Sequence, residues 1–375
     1  MAVSMTGIEI TTLHFSCACS KVTGSAKVPT SRLPLPLDLC NCNICRHQSG
    51  LLCALCFLLP DGTTEWQFEG PIVDYKSSKT ATRSFCNHCG ANIYFKDSEK
   101  PRPHICSGIL KRADGVLELR KHIFVPAAKD GGLAVWLSDI PAYEGRSSEI
   151  KPVEYQKCQR TNPTKDGTTE LQAYCQCRGV QFKISKPDKM SSAMSSPWPD
   201  LIRPYISESS KNEDDTKWWL RANDTKYLAG TCACTSCRLT SGFDVQTWAF
   251  IPKPNILQLN SKPLHFDMGT LKQYQSSQGV YREFCSKCGA TVFWHCDERP
   301  DLVDVSVGLF DAQEGSRAES WLDWWTDRIS FEEEAQNKDL ILRLTVGMKH
   351  WANTRASLVN GKNIQTGNGV QNASL

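Results

Sequence analysis

Apolar and polar positions alternate along this chain in short stretches and never settle into a helical period of any length. Residues 11–28 read as a strand, a turn at Cys17/Cys19, and a second strand from Val22 to Val28. Ser31 to Leu39 is too rich in Pro to be a helix interior. Leu51 to Leu59 is a continuous apolar run ending at Pro60, which predicts a buried strand. Asp61-Gly62 then predicts a turn into a partner strand over Thr64 to Phe68. Thr80 to Phe85, Ala91 to Phe95, Pro103 to Leu110 and Leu117 to Phe124 complete a β-rich unit.

The same order then recurs. Leu171 to Tyr174 and Val180 to Ile184 flank Cys175/Cys177, and SFCNHCGANIYF at 84–95 aligns with EFCSKCGATVFW at 283–294. The spacing departs at one place: Cys19 and Cys40 lie 21 positions apart, Cys177 and Cys232 lie 55. The extra length carries Trp198 and Trp218-Trp219, aromatics that predict a partly ordered insertion, a lid or a decoration. The reading is therefore mainly β, with few short helices and two tandem domains. The first is expected at 11–145, a polar linker at 146–169, the second at 170–350 with its insertion near 186–231, and a disordered tail at 351–375.

Composition narrows the class. With 43 basic against 40 acidic residues, the charge balance speaks against nucleic acid as a partner. The N-terminal stretch lacks a basic segment leading into an apolar one, and the longest apolar run, Leu51 to Leu59, is too short to span a bilayer. No membrane association and a cytoplasmic, reducing location are expected, where thiols bind metal rather than forming disulfides. The competing reading, a disulfide scaffold, suits short secreted chains better.

Of 19 cysteines, 14 fall into two ordered sets of seven. Each centre is an eleven-residue stretch, CNCNICRHQSG from Cys40 and CACTSCRLTSG from Cys232. A C-x-C and a distant C-x-x-C flank each centre. Cys17, Cys19, Cys86 and Cys89, and again Cys175, Cys177, Cys285 and Cys288, supply four sulfurs, enough for a closed tetrahedral zinc site. Cys40, Cys42 and Cys45, and Cys232, Cys234 and Cys237, supply three. Three ligands leave a fourth position open, as in catalytic zinc, unless a ligand from elsewhere closes the site and makes it structural. Arg46 and Arg238 follow the third cysteine and are candidate charge partners for the sulfurs or for a substrate carboxylate. Cys53 and Cys56 also spell C-x-x-C, but within an apolar strand they read as packing residues. Cys106, Cys158 and Cys296 are likewise assigned no metal, and His47, His88 and His122 read as core or surface residues.

These motifs together, C-x-C, C-x-C-x-x-C-R with a closing Gly, and F-C-x-x-C-G, resemble the glutathione-dependent formaldehyde-activating enzymes and the related centromere protein V. The resemblance implies a β-rich zinc fold with two zinc ions per domain, four per chain. It implies structural zinc at the four-sulfur sets and active-site zinc at the three-sulfur sets. It also implies a carbon–sulfur lyase acting on a small-molecule thiol, such as a glutathione adduct of formaldehyde. Tandem domains, and Ser20-Lys21 where Gly often follows the first C-x-C, depart from that pattern. The other class of function is a non-catalytic zinc module that binds protein or nucleic acid; oligomeric state is not legible.

Four zinc ions per chain are expected by elemental analysis under reducing conditions. The double variant Cys53→Val with Cys56→Ala should keep all four and lose only about 1–3 kcal/mol of stability through altered packing. A missing zinc equivalent in that variant would show that the ligands are assigned wrongly.

Overall fold

A computed structural model describes residues 8–98, 102–112, 114–146, 168–205 and 210–359, with side chains to 355. The first half contains β1 (Ile10–Ser16), β2 (Thr23–Pro29), β3 (Leu35–Cys40), α1 (Asn43–Ser49), β4 (Ala54–Leu58), β5 (Thr64–Glu69), β6 (Ile72–Lys76), β7 (Ala81–Cys86), β8 (Asn92–Asp97), β9 (His104–Cys106) and β10 (Leu117–Ile123). Two sheets result, β1-β2-β5 and β10-β3-β4-β9-β8-β7-β6. The second half contains β11 (Glu170–Tyr174), β12 (Gln181–Ser185), α2 (Lys189–Ala193), β13 (Leu220–Arg221), β14 (Lys226–Cys232), α3 (Thr235–Ser241), β15 (Gln246–Pro252), β16 (Ile256–Gln258), β17 (Leu271–Ser277), β18 (Val280–Cys285), β19 (Thr291–Cys296), β20 (Leu302–Ser306), β21 (Leu322–Trp324) and α4 (Lys338–Val359). Its sheets, β11-β12-β16 and β13-β14-β15-β20-β19-β18-β17 with β21 on β14, repeat the first topology.

The mainly β expectation holds, with four corrections. The Asp61-Gly62 turn does not fold β5 back onto β4. Instead β5 pairs with β2 and gives the small sheet its third strand. The insertion is shorter than 186–231, because β14 starts at Lys226 and is the counterpart of β3. The chain does hold a long helix, α4, which runs to Val359, so residues 351–359 are helical rather than tail. Leu340, Ile341, Leu344 and Met348 bury one face of it, a spacing of three and four that packs onto the rest of the protein. The fourth correction concerns the metal stretches, each of which coils into a seven-residue helix, α1 or α3. The cysteine before each helix caps it: the Cys42 sulfur accepts from the Cys45 N–H at 3.4 Å, and Cys234 from Cys237 at 3.2 Å. Residues 147–167, most of the expected linker and Cys158 with it, lie outside the described residues, as do 360–375.

Gly50 and Gly242 end these helices in left-handed conformation, with φ of 82° and 85°. Their second reason is steric. A Cβ at Gly50 would lie 2.1 Å from the Thr291 carbonyl oxygen, and at Gly242 2.1 Å from that of Asn92. Here the halves meet, and the contact is reciprocal. The Gly108 N–H donates to Gly242 O at 3.0 Å, and the Gly308 N–H to Gly50 O at 2.9 Å. Arg46 Nη1 donates to Gly308 O at 2.9 Å and Phe310 O at 2.6 Å. Arg238 Nη1 donates to Gly108 O and, at 3.4 Å, to Leu110 O. This is the isologous logic of a twofold dimer carried within one chain. One apolar core runs through both halves. Beyond it, Arg317 donates to Asp130 O and Gly132 O, both at 2.8 Å, and Trp136 packs its ring against Trp324 and Trp351.

Arg46→Ala should cost about 2–5 kcal/mol in chemical denaturation, because it strands two carbonyls that lose a charged donor. Arg343→Ala, which breaks an exposed ion pair with Asp139, should cost no more than about 1 kcal/mol.

Candidate metal centres

The first closed set is assembled from two sheets. Cys17 and Cys19 sit on the β1–β2 turn, Cys86 ends β7, and Cys89 lies in the turn to β8. Cys17 Sγ lies 3.4 Å from Cys19 Sγ, which lies 3.7 Å from Cys86 Sγ. The second set repeats this with Cys175–Cys177 and Cys177–Cys285, both at 3.5 Å. In each set the four sulfurs lie within 4.8 Å of one another. Tetrahedral zinc at about 2.3 Å from each sulfur needs edges of about 3.8 Å, so the residues fit the ion. Backbone N–H groups point at these sulfurs, from Val22 to Cys17 at 3.3 Å and from Val180 to Cys175 at 3.3 Å, and suit thiolates. Each set staples a three-stranded sheet to a large one.

The trios are built differently. Cys40 ends β3, Cys42 caps α1, and Cys45 lies in its first turn. Cys40 Sγ and Cys42 Sγ are 3.5 Å apart. Cys232, Cys234 and Cys237 occupy the same places on β14 and α3. Among the described residues, no fourth His, Cys, Asp or Glu ligand atom joins either trio. Each trio opens on a cavity instead, of about 320 Å³ in the first half and about 700 Å³ in the second.

The charge partners are not the expected ones. Arg46 and Arg238 spend their guanidinium groups on carbonyls of the opposite half, as described above. The trios are faced by Arg83 and Arg282, on β7 and β18: Arg83 Nη2 donates to Cys45 Sγ at 3.1 Å and Arg282 Nη1 to Cys237 Sγ at 3.5 Å. Ser77 and Ser276 brace these arginines at Nε, each at 3.2 Å. Hydrogen bonds from Cys40 and Cys42 hold the Cys45 thiol well below its ordinary range; burial opposes them and Arg83 adds to them. Cys237 is held down the same way by Cys232, Cys234 and Arg282. Burial, the largest single influence, lowers the Arg83 guanidinium, but the sulfurs of Cys45, Cys56 and Cys42 together outweigh it and raise it. A sequence signal for this pair existed. Extending the internal alignment upstream gives RSFC and REFC, an arginine three residues before the cysteine in both halves.

The remaining candidates fall as follows. Burial, then Arg46, push His47 down to about 3, so it is neutral; it accepts from Arg46 at 3.0 Å and donates to Tyr174 O at 2.8 Å. Burial pushes His122 down to about 3 as well. Cys53 is buried and outside any metal grouping. Cys56 also joins none, but it lines the first cavity and faces Cys106 across the β4–β9 pair with the sulfurs 4.0 Å apart. Among the described residues no helix is long and apolar enough to cross a membrane.

A family model described as glutathione-dependent formaldehyde-activating enzyme matches residues 12–127 and, a second time, residues 220–328. The first match takes in all seven cysteines of the first ordered set; the second takes in five of the second set, with Cys175 and Cys177 upstream of it. Comparison with curated proteins gave no match.

Cys86→Ser or Cys285→Ser should unfold its own half, since binding of structural zinc is folding free energy. Cys42→Ser should spare most of the fold. Thermal unfolding with zinc content reads this out, and equal losses in all three variants would erase the distinction between closed and open sets.

Proposed function

The chain belongs to the glutathione-dependent formaldehyde-activating enzyme family, and on that premise we propose that it is a zinc-dependent carbon–sulfur lyase. Its substrate would be the adduct of a thiol, of glutathione type, with an aldehyde or a related small electrophile. The observation that carries this reading is the pair of three-sulfur trios, each facing a cavity and each without a fourth His, Cys, Asp or Glu ligand among the described residues. Zinc bound there supplies a site that holds a substrate sulfur as thiolate.

The protein's own residues set the electrostatics. Three thiolates outweigh the charge of a divalent ion, so the trio alone would repel a fourth thiolate. Arg83 and Arg282 offset that excess from within hydrogen-bond reach of Cys45 and Cys237. Both are buried, so solvent screens the effect little. When the carbon–sulfur bond of the adduct breaks, its electron pair stays on sulfur, and the adduct hydroxyl loses its proton as the carbonyl forms. The reverse reaction joins thiolate and aldehyde. The α1 and α3 N-caps keep Cys42 and Cys234 fixed in the cavity walls.

The test follows decay of glutathione–aldehyde adducts, with formaldehyde first, in the presence of zinc-loaded protein. Acceleration is expected for the native chain and for Cys53→Val, and none for Cys42→Ser/Cys234→Ser. Arg83→Leu with Arg282→Leu should lower the rate about 10- to 100-fold. Full zinc loading with no acceleration for any adduct would favour a non-catalytic binding module instead.

A further inference from the structure

The two open trios stand on the same scaffold, so their cavity walls can be compared position by position. In the first half, Asp38 pairs with Cys56 across β3 and β4, and Cys56 with Cys106 across β4 and β9. In the second, Gly230 pairs with Trp248 and Trp248 with Ser306. In the cavity walls a carboxylate and a thiol, Asp38 and Cys56, are thus replaced by Gly230 and the indole of Trp248. On the next strands Phe95 becomes Trp294.

Gly230 has a second consequence. A Cβ there would lie 2.2 Å from Leu201 Cδ2, so a larger residue would force a shift of the Leu201 side chain, which the insertion delivers to the cavity wall. Asp200, beside it, pins the insertion down. It accepts from the Phe331 N–H at 2.8 Å, from Ser330 Oγ at 3.0 Å, and from Arg328 at 3.0 Å. With the segment held, Trp198 and Tyr205 also line the cavity, where Tyr205 meets the Phe331 ring at 6.5 Å yet stays 58% exposed. Several charges facing this space have partners in the protein: Arg299 donates to Asp304 at 2.8 Å, Arg282 to Cys237, Asp200 accepts as above, and Glu334 accepts from the Thr235 N–H at 2.7 Å, while Asp297 and Glu298 stand at its edge. Beside these groups a ligand meets the rings of Trp198, Tyr205, Trp248 and Trp294, around roughly twice the volume of the first cavity, about 700 against about 320 Å³. The first cavity instead keeps Asp38, with Oδ1 buried and unpartnered.

We propose that the second trio serves thiols or thiol adducts whose organic part carries an aromatic ring, whereas the first serves small ones. This rests on the reading of both trios as open zinc sites for thiolate. Flat rings stack or meet edge to face with Trp and Tyr, and burying one ring in such a wall strengthens binding while an alkyl group of two carbons gains little.

The experiment is calorimetric binding of two probes, phenylmethanethiol and ethanethiol, to the zinc-loaded full chain. The variants are Cys42→Ser, which leaves the second trio, and Cys234→Ser, which leaves the first. Phenylmethanethiol should bind the second trio about tenfold or more tighter than the first, with ethanethiol nearly indifferent. Trp198→Ala with Tyr205→Ala, made in the native chain so that every zinc ligand stays, should cut the preference for phenylmethanethiol over ethanethiol at that site about tenfold. Ethanethiol binding at both trios with no aromatic preference at the second would overturn this inference and leave the lyase reading standing. Failure of both thiols to bind at either trio would overturn both.

Discussion

The buried guanidinium groups of Arg46 and Arg238 tie the molecule together. Each leaves its own half to donate to two carbonyls of the other, Gly308 and Phe310 from one side, Gly108 and Leu110 from the other. A charged group with few partners would be costly in such a place, so the carbonyls are held where the fork can reach them. The same seven-residue helices carry the third cysteine of each trio and are capped by the second. One face of each helix therefore makes the interface and another makes the open site, so a shift at one is felt at the other. The backbone contacts at Gly50 and Gly242 leave no slack for such a shift.

A second coupling runs along β7 and β18. Arg83 and Cys86, three residues apart in an extended strand, project to opposite faces. The cysteine goes to the closed set and the arginine to the trio. Arg282 and Cys285 repeat this. The closed set thus orients the cation that balances the open set, as supporting residues do at metal sites generally. The four-sulfur set and the electrostatics of the trio are parts of one strand's geometry.

Against this near symmetry the cavities diverge, and the divergence is confined to walls. Gly230, Trp248 and Trp294 change shape and size without touching the sulfur positions, and the insertion adds Trp198, Leu201 and Tyr205 at the rim. Cysteine geometry constrains the chemistry available; side chains on neighbouring strands can vary what is admitted.

The cysteine sets were legible in the sequence because ligand spacing is local. A C-x-C on a turn, or a C-x-x-C with a following Gly, brings two sulfurs together before any tertiary contact forms. The β-rich class was legible from short alternating stretches for the same reason. The helix α4 could have been read from Leu340, Ile341, Leu344 and Met348, whose spacing is helical, but apolar Leu342 and Val346, which the fold leaves exposed, and Gly347 blurred the face. The arginines could not be assigned from position alone. Arg46 is next to Cys45 in the chain, yet successive residues on a helix point about 100° apart, which sends it to the other half. Arg83 is 38 positions from Cys45 and touches its sulfur. The pairing of β5 with β2, and the placement of Leu201 over Gly230, were likewise decided by packing. Sequence fixes which groups can bind a metal, because ligand chemistry belongs to residue type and near spacing; only the folded chain decides which charge faces which sulfur, because that depends on directions set by elements far apart in the chain.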